Sequence, residues 1–453
     1  MAEKIALVIG AGSAGCSAAV ELARSGWRVA IAEPGGVGGT CLWAGCVPKK
    51  ALYVSANAYR ELGRDRTFGV EPNGGSFAWR EIMAWKRHAQ SMVAGDQEAL
   101  LARHGIEHVR GSARFVSPTQ ARVGERVFCA DAFVIATGAR TILPPIPGVE
   151  LADTSGAALS YRDVPASLVI VGAGYIGLEF AAAFSALGTK VTLIAHGDRV
   201  LPMFDAEVAG VSAALLAEEG VDIRTNTTTL AFGGARGAVV ARVRDASGAE
   251  SELRSERLLV AVGRRPDLGA LDLAAADVAV DERGRLVLDE TQRSTSNPRV
   301  WAAGDAAGTV QLKPAAEMAG ALVGRSVGSG AAMPIAYDTV PSTVFTLPQI
   351  AQVGITEAQA ADRGIAHRVC RQRFDTLGSA IIDDVRTGLI KLVFAERDGR
   401  LLGAAIASPH ASELVYACAL GMRTGATFED VRETVGVHAA YSEGMQYAAL
   451  GQL

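Results

Sequence analysis

The sequence lacks the features that mark several classes of protein. No apolar run reaches the roughly 18 residues that a membrane helix needs, and its 51 glycines follow no three-residue collagen period. Six cysteines in 453 residues are too few for a secreted disulfide scaffold. A net charge of −4 gives no basic excess for nucleic acid. We therefore expect a cytoplasmic globular protein that binds neither nucleic acid nor membrane.

The chain does have the length and apolar content of a large globular protein. At about 150 residues per domain, its length predicts about three domains. The hydrophobic residues make up 49% and the charged residues 20% of the chain, a balance typical of folded proteins. The apolar run Ile5–Ile9 leads directly into glycines, so it predicts a buried strand and not a signal peptide.

One glycine pattern occurs twice along the chain. Residues 5–15 read IALVIGAGSAG and residues 168–177 read LVIVGAGYIG, so each apolar run is followed by Gly-x-Gly-x-x-Gly. A helix-like stretch and a second apolar strand follow each copy. This context is typical of dinucleotide binding, in which amides at a helix N-terminus bind the pyrophosphate. The two copies therefore predict two nucleotide-binding units.

Other segments indicate where the chain is divided. The Pro-rich connector Leu143–Gly148 and the segment Arg264–Asp267 are typical of domain boundaries. Beyond Pro334 the runs LIKLVFAE and LLGAAIAS predict hairpins, and helical patterns follow them. This last part is therefore expected to form an α+β domain.

Two cysteines lie close together near the first glycine motif. Cys41 and Cys46 stand in the segment GGTCLWAGCVPKK, residues 38–50. In a regular helix their spacing separates the Cα atoms by roughly 8–9 Å, whereas a disulfide needs less than about 7 Å. A disulfide would require a distorted helix start, which Gly45 permits. The alternative is a pair of buried free thiols. The remaining cysteines lie in apolar segments and are expected to be core thiols: Cys16, Cys129, Cys370 and Cys418.

Taken together, these motifs resemble the class I pyridine nucleotide-disulfide oxidoreductases, which include glutathione, mercuric and mycothione reductases and dihydrolipoamide dehydrogenase. The resemblance covers essentially the whole chain. The segments that carry it are GAGSAG, GGTCLWAGCVPKK, ATG at 136–138, GAGYIGLEF, GRRP, AAGD at 302–305 and HAAYSEG at 438–444. It implies an α/β fold with two Rossmann-like nucleotide-binding domains and a C-terminal α+β dimerisation domain. The expected domains are 1–148 with 264–333 for FAD, 149–263 for NAD(P), and 334–453 for the interface.

The resemblance implies that the first unit binds FAD. Glu33 follows Gly12 at the offset of about 20 residues that is usual for an acid binding ribose hydroxyls. Asp305 matches the family's contact to the ribityl chain, and either Lys49 or Lys50 is expected to face the flavin. The complete set of expected FAD residues is Gly10, Gly12, Ser13, Gly15, Glu33, Thr40, Lys49, Lys50, Thr137, Gly138 and Asp305.

The second unit is implied to bind NADPH or NADH. Ala195 stands at the position of the usual ribose acid, which weakens the case for NADH. The arginines of NADPH-specific glutathione reductases are also absent, but His196 or Arg199 could meet a 2′-phosphate, so we expect NADPH to be preferred. Tyr175 matches the gate of the nicotinamide pocket, and Glu179 matches the acid that pairs with the flavin-facing lysine. The complete set is Gly172, Gly174, Tyr175, Gly177, Glu179, His196, Arg199 and Gly263.

The resemblance also implies the catalytic groups. Cys41 and Cys46 would form a redox disulfide, with Cys46 against the flavin and Cys41 as the outer thiol of lowered pKa. His438 and Glu443 would form the acid/base dyad, although Ala439 replaces the proline that usually follows the histidine and forms a cis bond. In relatives the dyad comes from the second subunit, so a homodimer is implied. No metal site is expected.

Departures from the family narrow the substrate. The two arginines and the tyrosine that contact glutathione in relatives align with Val20, Ala321 and Gln97, so we expect a small-molecule disulfide other than glutathione disulfide. Trp43 replaces the usual asparagine between the cysteines, where it either reshapes the disulfide pocket or simply packs. The alternatives are dihydrolipoamide dehydrogenase and, from another class, a flavoprotein redox sensor with little turnover. Carbon–carbon-cleaving and metal-reducing relatives are less favoured, because Glu443 is present and no cysteine follows Cys418.

Overall fold

A computed structural model describes residues 3–68, 75–385 and 387–451 of the chain. The strands are β1 Ile5–Ile9, β2 Arg28–Glu33, β3 Glu107–Arg110, β4 Ala113–Ser117, β5 Gln120–Val123, β6 Arg126–Cys129, β7 Ala132–Ile135, β8 Ala139–Thr141, β9 Ser167–Val171, β10 Lys190–Ile194, β11 Asp222–Arg224, β12 Thr228–Ala235, β13 Ala238–Arg244, β14 Glu250–Ser255, β15 Arg257–Val260, β16 Arg264–Pro266, β17 Val300–Ala302, β18 Ser342–Val344, β19 Gln349–Gly354, β20 His367–Arg373, β21 Leu389–Ala395 and β22 Leu401–Ser408. The α-helices are α1 Ser13–Arg24, α2 Gly39–Trp43, α3 Cys46–Arg64, α4 Trp79–Arg103, α5 Ser155–Ala158, α6 Tyr175–Ala186, α7 Ala206–Glu218, α8 Lys313–Ser329, α9 Glu357–Asp362, α10 Gly378–Ile382, α11 Ala411–Thr424, α12 Phe428–Glu433 and α13 Glu443–Leu450.

The chain divides into two compact units, each built from three segments. Unit 1 consists of Met1–Ala51, Arg80–Ile142 and Gly263–Tyr337. Unit 2 consists of Leu52–Trp79, Leu143–Val262 and Asp338–Leu453. The domain boundaries expected from the sequence remain predictions.

Unit 1 is centred on a parallel sheet of five strands in the order β17-β7-β1-β2-β3. The side chains of Leu7, Val8, Phe133 and Val134 are fully buried, because apolar residues cover both faces of this sheet. Helices α1 and α8 pack so closely that a Cβ on Gly320 would collide with the carbonyl of Ala14. Unit 1 also contains the antiparallel sheet β4-β5-β6 and the pair β16-β8.

Unit 2 contains a second parallel sheet and two antiparallel ones. The parallel sheet has the order β11-β10-β9-β15, and the sheet β12-β13-β14 packs against it through a shared apolar core. The third sheet, β18-β19-β22-β21-β20, is antiparallel and is built around the hairpin of β21 and β22. These sheets confirm the α/β class with Rossmann-like cores, and the last one is the hairpin region expected beyond Pro334.

One expectation about the cysteines is wrong. Cys16, Cys370 and Cys418 are buried, but Cys129 is exposed. It ends β6, an edge strand of the sheet β4-β5-β6, where its thiol contacts the Gln120 amide at 3.1 Å. Within the described residues, no helix is both long and apolar enough to cross a membrane.

Candidate functional site

The first glycine motif forms a tight turn between β1 and α1. Gly10 has a φ of +106°, and a Cβ there would collide with the carbonyl of Ala136. A Cβ on Gly15 would collide with the carbonyl of Gly10. Helix α1 begins at Ser13, with Gly12 as its N-cap. The motif therefore brings a helix N-terminus and bare backbone to the end of the sheet, as a bound pyrophosphate requires.

The second motif repeats this geometry in unit 2. Gly172 has a φ of +112°, and a Cβ there would collide with the carbonyl of Ala261. A Cβ on Gly177 would likewise collide with the carbonyl of Gly172. Helix α6 begins at Tyr175, with Gly174 as its N-cap. Two copies of the glycine pattern, far apart in the chain, therefore form the same turn and helix start.

Glu33 lies at the end of β2, beside the first glycine loop. Its Oε2 accepts a hydrogen bond from the backbone N–H of Ala11 at 3.0 Å, and its Oε1 accepts one from Gly35 at 2.9 Å. The backbone N–H of Gly38 in turn donates to the carbonyl of Ala11 at 2.7 Å. The carboxylate is thus held at the edge of the loop by two amides, where it is placed to receive ribose hydroxyls.

Buried polar atoms around this loop fit a polar ligand such as FAD. Among the described residues, the Thr137 hydroxyl and the Gln97 carbonyl oxygen are buried without a hydrogen-bond partner. Burial raises the pKa of Asp305, and the Arg264 guanidinium opposes that rise. Because an unpartnered buried polar group is unfavourable, these atoms favour a ligand that supplies partners. The residues of unit 1 therefore fit the cofactor that the sequence implies.

Arg264 was not predicted as a site residue, yet it connects three of the predicted segments. Its side chain is 11% exposed and lies 4.0 Å from Asp305. Its Nη2 donates to Thr40 Oγ1 at 3.4 Å and to the carbonyl of Ala139. The GRRP motif includes the residue, but no pattern in the sequence indicates these partners.

The two cysteines of the redox motif stand at a break between two helices. Cys41 lies in α2 and Cys46 is the first residue of α3, so no continuous helix joins them. A Cβ on Gly45 would lie only 2.8 Å from the carbonyl of Thr40 and 3.3 Å from the Cα of Cys41. Glycine thus allows the distorted helix start that the sequence predicted. Cys46 is exposed and Cys41 half-buried, so the alternative of two buried thiols is wrong.

The electrostatic environment of Cys41 differs from the expectation of a lowered pKa. A hydrogen bond with the Cys46 thiol, reinforced by burial, raises the pKa of Cys41, while the charge of Lys313 lowers it to a smaller extent. Lys313 begins α8 and forms an ion pair with Glu317 at 2.6 Å. Within one chain the Cys41 thiol therefore keeps its proton at neutral pH, and its activation requires a base.

Lys49 and Lys50 are the fourth and fifth residues of α3, which Cys46 begins. Both are half-buried, and the backbone N–H of Lys49 donates to the carbonyl of Gly45 at 3.1 Å. Gly138 follows β7 with a φ of +72°. Which lysine faces the flavin remains a prediction.

Two of the coenzyme residues predicted in unit 2, His196 and Arg199, differ in what their side chains contact. Ala195 is buried after β10, whereas His196 is exposed, with its Nδ1 3.2 Å from Thr228 Oγ1. Arg199 differs from the expectation, because its guanidinium donates to three backbone carbonyls of its own loop, those of Leu201, Pro202 and Phe204. Arg199 thus holds its own loop, and its contact with a 2′-phosphate stays a prediction.

Two further predicted coenzyme residues have contacts that the sequence did not indicate. Glu179 is 3% exposed, and its Oε1 accepts a hydrogen bond from the backbone N–H of Phe345 at 2.9 Å. Gly263, predicted with the coenzyme residues, lies in unit 1, where its carbonyl accepts a hydrogen bond from Ile142 at 2.9 Å.

The predicted acid/base dyad is assembled in unit 2. His438 Nδ1 lies 3.1 Å from Glu443 Oε2, and the bond between His438 and Ala439 is cis despite the missing proline. Glu443 begins α13 and also accepts a hydrogen bond from the Tyr447 hydroxyl at 3.4 Å. The backbone packs closely here, since a Cβ on Gly436 would lie 2.7 Å from the Cα of Glu443. The structure therefore brings together the two residues that the HAAYSEG motif predicted.

Comparison with known proteins gives matches over almost the whole chain. Residues 5–320 match the pyridine nucleotide-disulphide oxidoreductase model, and residues 340–449 match the dimerisation domain of those enzymes. A dihydrolipoyl dehydrogenase of Haloferax volcanii is 34% identical over 98% of this chain and 96% of its own. A mercuric reductase of Bacillus cereus is 32% identical over 98% of this chain and 70% of its own. The HOCl-induced flavoprotein disulfide reductase RclA from Escherichia coli superposes with a TM-score of 0.87 and 28% identity, covering 99% of both chains.

Proposed function

Because the chain belongs to the pyridine nucleotide-disulfide oxidoreductase family, we propose that it is an FAD-dependent NAD(P)H:disulfide oxidoreductase. Its substrate is a low-molecular-weight disulfide other than glutathione disulfide. The observation that carries this proposal is the helix break at Gly45, which brings the Cys41 and Cys46 thiols into contact beside a glycine cradle for a dinucleotide.

The residues of unit 1 hold the cofactor in this proposal. The amides of Gly10–Gly15 take the pyrophosphate, Glu33 takes the adenosine ribose, and Asp305 takes the ribityl chain. When bound, FAD supplies the two-electron link between NAD(P)H and the cysteine pair. Arg264 fixes Asp305 and Thr40 around that group.

The cysteine pair reduces the substrate by two exchanges. The Cys41 thiolate attacks one sulfur of the substrate disulfide, forming a mixed disulfide and releasing one thiolate, which takes a proton. The Cys46 thiolate then attacks Cys41, closes the Cys41–Cys46 disulfide and releases the second thiol. One substrate disulfide becomes two thiols, and the two electrons come from the cysteine pair.

The His438–Glu443 dyad moves the protons of these steps. Since Cys41 has a raised pKa, a base must take its proton before it attacks. His438 is suited to this role, because its ring is 78% exposed while the 4% exposed carboxylate of Glu443 orients it. We assign the dyad of one subunit to the cysteine pair of its partner, consistent with the family's dimerisation domain.

The coenzyme preferred in this proposal is NADPH. The buried methyl of Ala195 offers no acceptor for the ribose 2′-hydroxyl, which NADH recognition uses. His196 is exposed next to it and remains the candidate for a 2′-phosphate, whereas the Arg199 guanidinium is committed to loop carbonyls.

The proposal is tested by anaerobic titration of the purified flavoprotein with NADPH and, separately, NADH. A long-wavelength absorption band of a thiolate beside oxidised flavin, absent from Cys46→Ser, would support the dithiol route, and the faster nucleotide would identify the coenzyme. Complete bleaching of the flavin without this band would place the cysteines outside the main path. A panel of disulfides follows, in which a kcat/KM for glutathione disulfide equal to the best substrate would contradict the substrate assignment.

A second candidate is dihydrolipoamide dehydrogenase activity. The identity of 34% with an enzyme of that name, over nearly the full length of both chains, favours it. The two candidates differ in direction and coenzyme, so NADH formation from dihydrolipoamide and NAD distinguishes them. A rate comparable to the best disulfide reduction would favour the dehydrogenase.

A further inference from the structure

Trp43 stands between the two cysteines, but its indole is attached to a different part of unit 1. Its Nε1–H is shared between the carbonyls of Gly36 at 3.2 Å and Val37 at 3.1 Å. Both carbonyls belong to residues 34–38, which we call the ribose loop because they follow Glu33 directly. The ring is 44% exposed, so it covers the loop from the outside.

The ring lies directly on the ribose loop at Gly36. A Cβ on Gly36 would lie 3.0–3.2 Å from three atoms of the indole, tighter than side chains normally pack. Gly36 does not have a positive φ, so no turn requires a glycine there. Its lack of a side chain instead makes room for the indole. Any larger residue there would displace the indole or the loop.

The helix end that carries Trp43 is also held in place, by hydrogen bonds from another helix. Trp43 is the last residue of α2, the helix that carries Cys41. The buried Gln90 of α4 donates from Nε2 to the carbonyls of Leu42 at 2.9 Å and Trp43 at 3.2 Å. The helix end is thereby held to α4, and the indole extends from a fixed base.

The ribose loop in turn holds Glu33. Gly35 donates to its Oε1 at 2.9 Å, and Gly38 bonds the glycine cradle through the carbonyl of Ala11 at 2.7 Å. A chain of contacts therefore runs from Gln90 through the end of α2 and the indole to the loop, and from the loop to the carboxylate. One of the two amides that hold the Glu33 carboxylate therefore belongs to the loop, the other being that of Ala11, and Trp43 holds the loop.

We propose that Trp43 is a positioning residue of the FAD site, which clamps the ribose loop onto helix α2 and so holds Glu33 ready for the adenosine ribose. The inference rests on the proposed use of FAD. It assigns to Trp43 a role in cofactor retention and not the role in shaping the disulfide pocket that its place between the cysteines suggested. A residue that keeps a loop in its binding conformation lowers the ordering cost of binding.

The experiment measures FAD affinity on protein from which the flavin has been removed, by following flavin fluorescence on reconstitution. Trp43→Ala is expected to raise the Kd for FAD by about tenfold or more, because it removes the N–H that the two loop carbonyls share and the ring contact. Trp43→Phe keeps a ring but no donor, so its Kd is expected to lie between those of wild type and Trp43→Ala. Gly36→Ala changes no residue of the helix, yet it is expected to weaken FAD binding by displacing the ring.

Trp85→Ala is the matched control. Trp85 is 53% exposed on α4 of the same unit, and its ring contact in the structure is with His88 of the same helix. Its removal deletes an indole of similar exposure whose ring contacts its own helix. The Kd for FAD is expected to stay that of wild type.

Two results would overturn the inference. One is a wild-type Kd for FAD in both Trp43→Ala and Gly36→Ala. The other is a rise in the KM for the disulfide at saturating FAD with no change in the Kd for FAD, which would return Trp43 to the substrate pocket. The FAD titration needs no disulfide turnover, so a protein that binds FAD but reduces no disulfide contradicts the proposed function alone. Wild-type protein that fails to bind FAD contradicts both.

Discussion

His438 Nδ1 lies 3.1 Å from Glu443 Oε2 in a pair whose members differ sharply in exposure. The imidazole side chain is 78% exposed, whereas the carboxylate is 4% exposed at the start of α13. Within the described residues, the second oxygen of Glu443 has no hydrogen-bond partner. The buried carboxylate therefore orients an imidazole that is itself open to the surface of the chain.

Removing the charge of Glu443 while keeping its shape tests that task. We expect Glu443→Gln to lower kcat for disulfide reduction by about 10- to 100-fold, as loss of an orienting partner typically does. His438→Ala is expected to cost more, about 10²- to 10⁴-fold. The measurement is steady-state disulfide reduction together with the rate of flavin reduction by NADPH. Glu252→Gln, a change at a 53% exposed carboxylate of unit 2, serves as the control. A loss of flavin reduction equal to the loss of turnover would show that Glu443 acts on the fold and not on the thiols.

Mixing two inactive variants tests whether the site is shared between subunits. A heterodimer of Cys41→Ser and His438→Ala subunits regains one intact site if each dyad serves the partner's cysteines. Heterodimers isolated from the homodimers would then have about half of the wild-type activity, because one of their two sites is intact. If the dyad and cysteines of one chain formed the site, every heterodimer would stay inactive. Activity is measured after co-expression with two affinity tags, so that only heterodimers are assayed.

The charge of Lys313 sets a testable pH dependence for Cys41. Since Lys313 lowers the pKa of the Cys41 thiol, its removal should leave the thiol protonated to a higher pH. In a Cys46→Ala background, we expect Lys313→Met to shift the alkylation profile of Cys41 to higher pH, because a neighbouring positive charge is lost. Peptide mass spectrometry separates Cys41 from the exposed Cys129. Lys190→Met, which removes an exposed lysine of unit 2, should leave the profile in place. A downward shift in Lys313→Met would contradict the sign of this interaction.

The parts that could be predicted from the sequence are those in which a short stretch determines its own geometry. The glycine motifs are one case, because Gly10 and Gly15 need backbone space at a fixed spacing within one turn. The break between Cys41 and Cys46 is another, since a disulfide between cysteines at this spacing is incompatible with a regular helix. The pairing of His438 with Glu443 also lies within one short segment.

The features that could not be predicted depend on contacts between residues far apart in the chain, or on whether a strand lies at the edge of its sheet. Arg264 reaches Thr40, more than two hundred residues away, and no local pattern reports such a contact. Trp43 could be read as a pocket residue because its partners at Gly36 and Val37 depend on how the loop returns over the helix. Cys129 sits in an apolar stretch, yet its strand forms the edge of a small sheet, so the thiol faces solvent. Arg199 illustrates a further limit, because a guanidinium that satisfies its own loop is indistinguishable by sequence from one that awaits a phosphate.

An ion cluster around the buried Lys391 of unit 2 gives a stability prediction. Lys391, only 4% exposed on β21, places its Nζ 2.9 Å from Asp205, 2.6 Å from Glu207 and 2.7 Å from Glu357. Arg371 contacts Glu207 at 2.7 Å and Glu357 at 2.6 Å. Lys391→Met keeps the aliphatic stem but leaves three carboxylates around one remaining cation. Lys391 and Asp205 are both buried, so removal of the ammonium leaves the Asp205 carboxylate buried without its ion-pair partner. We therefore expect a loss of about 3 kcal/mol in the free energy of unfolding, seen as a lower Tm.

The same cluster sets the pH dependence of that loss. Hydrogen bonds from Arg371, with Lys391 adding to them, lower the pKa of Glu207 to about 2, so its contribution to stability is present above its ordinary pKa of 4.5 and is lost as the pH falls toward 2. Protonation of the carboxylates also relieves their repulsion in Lys391→Met. The Tm difference between wild type and Lys391→Met should therefore narrow between about pH 5 and pH 3. Arg373→Met removes a 76% exposed arginine that pairs with Asp375 on the same sheet, and it should change the Tm little at either pH. A Tm difference for Lys391→Met that stays constant over this range would show that packing of the lysine stem, and not its charge, stabilises the cluster.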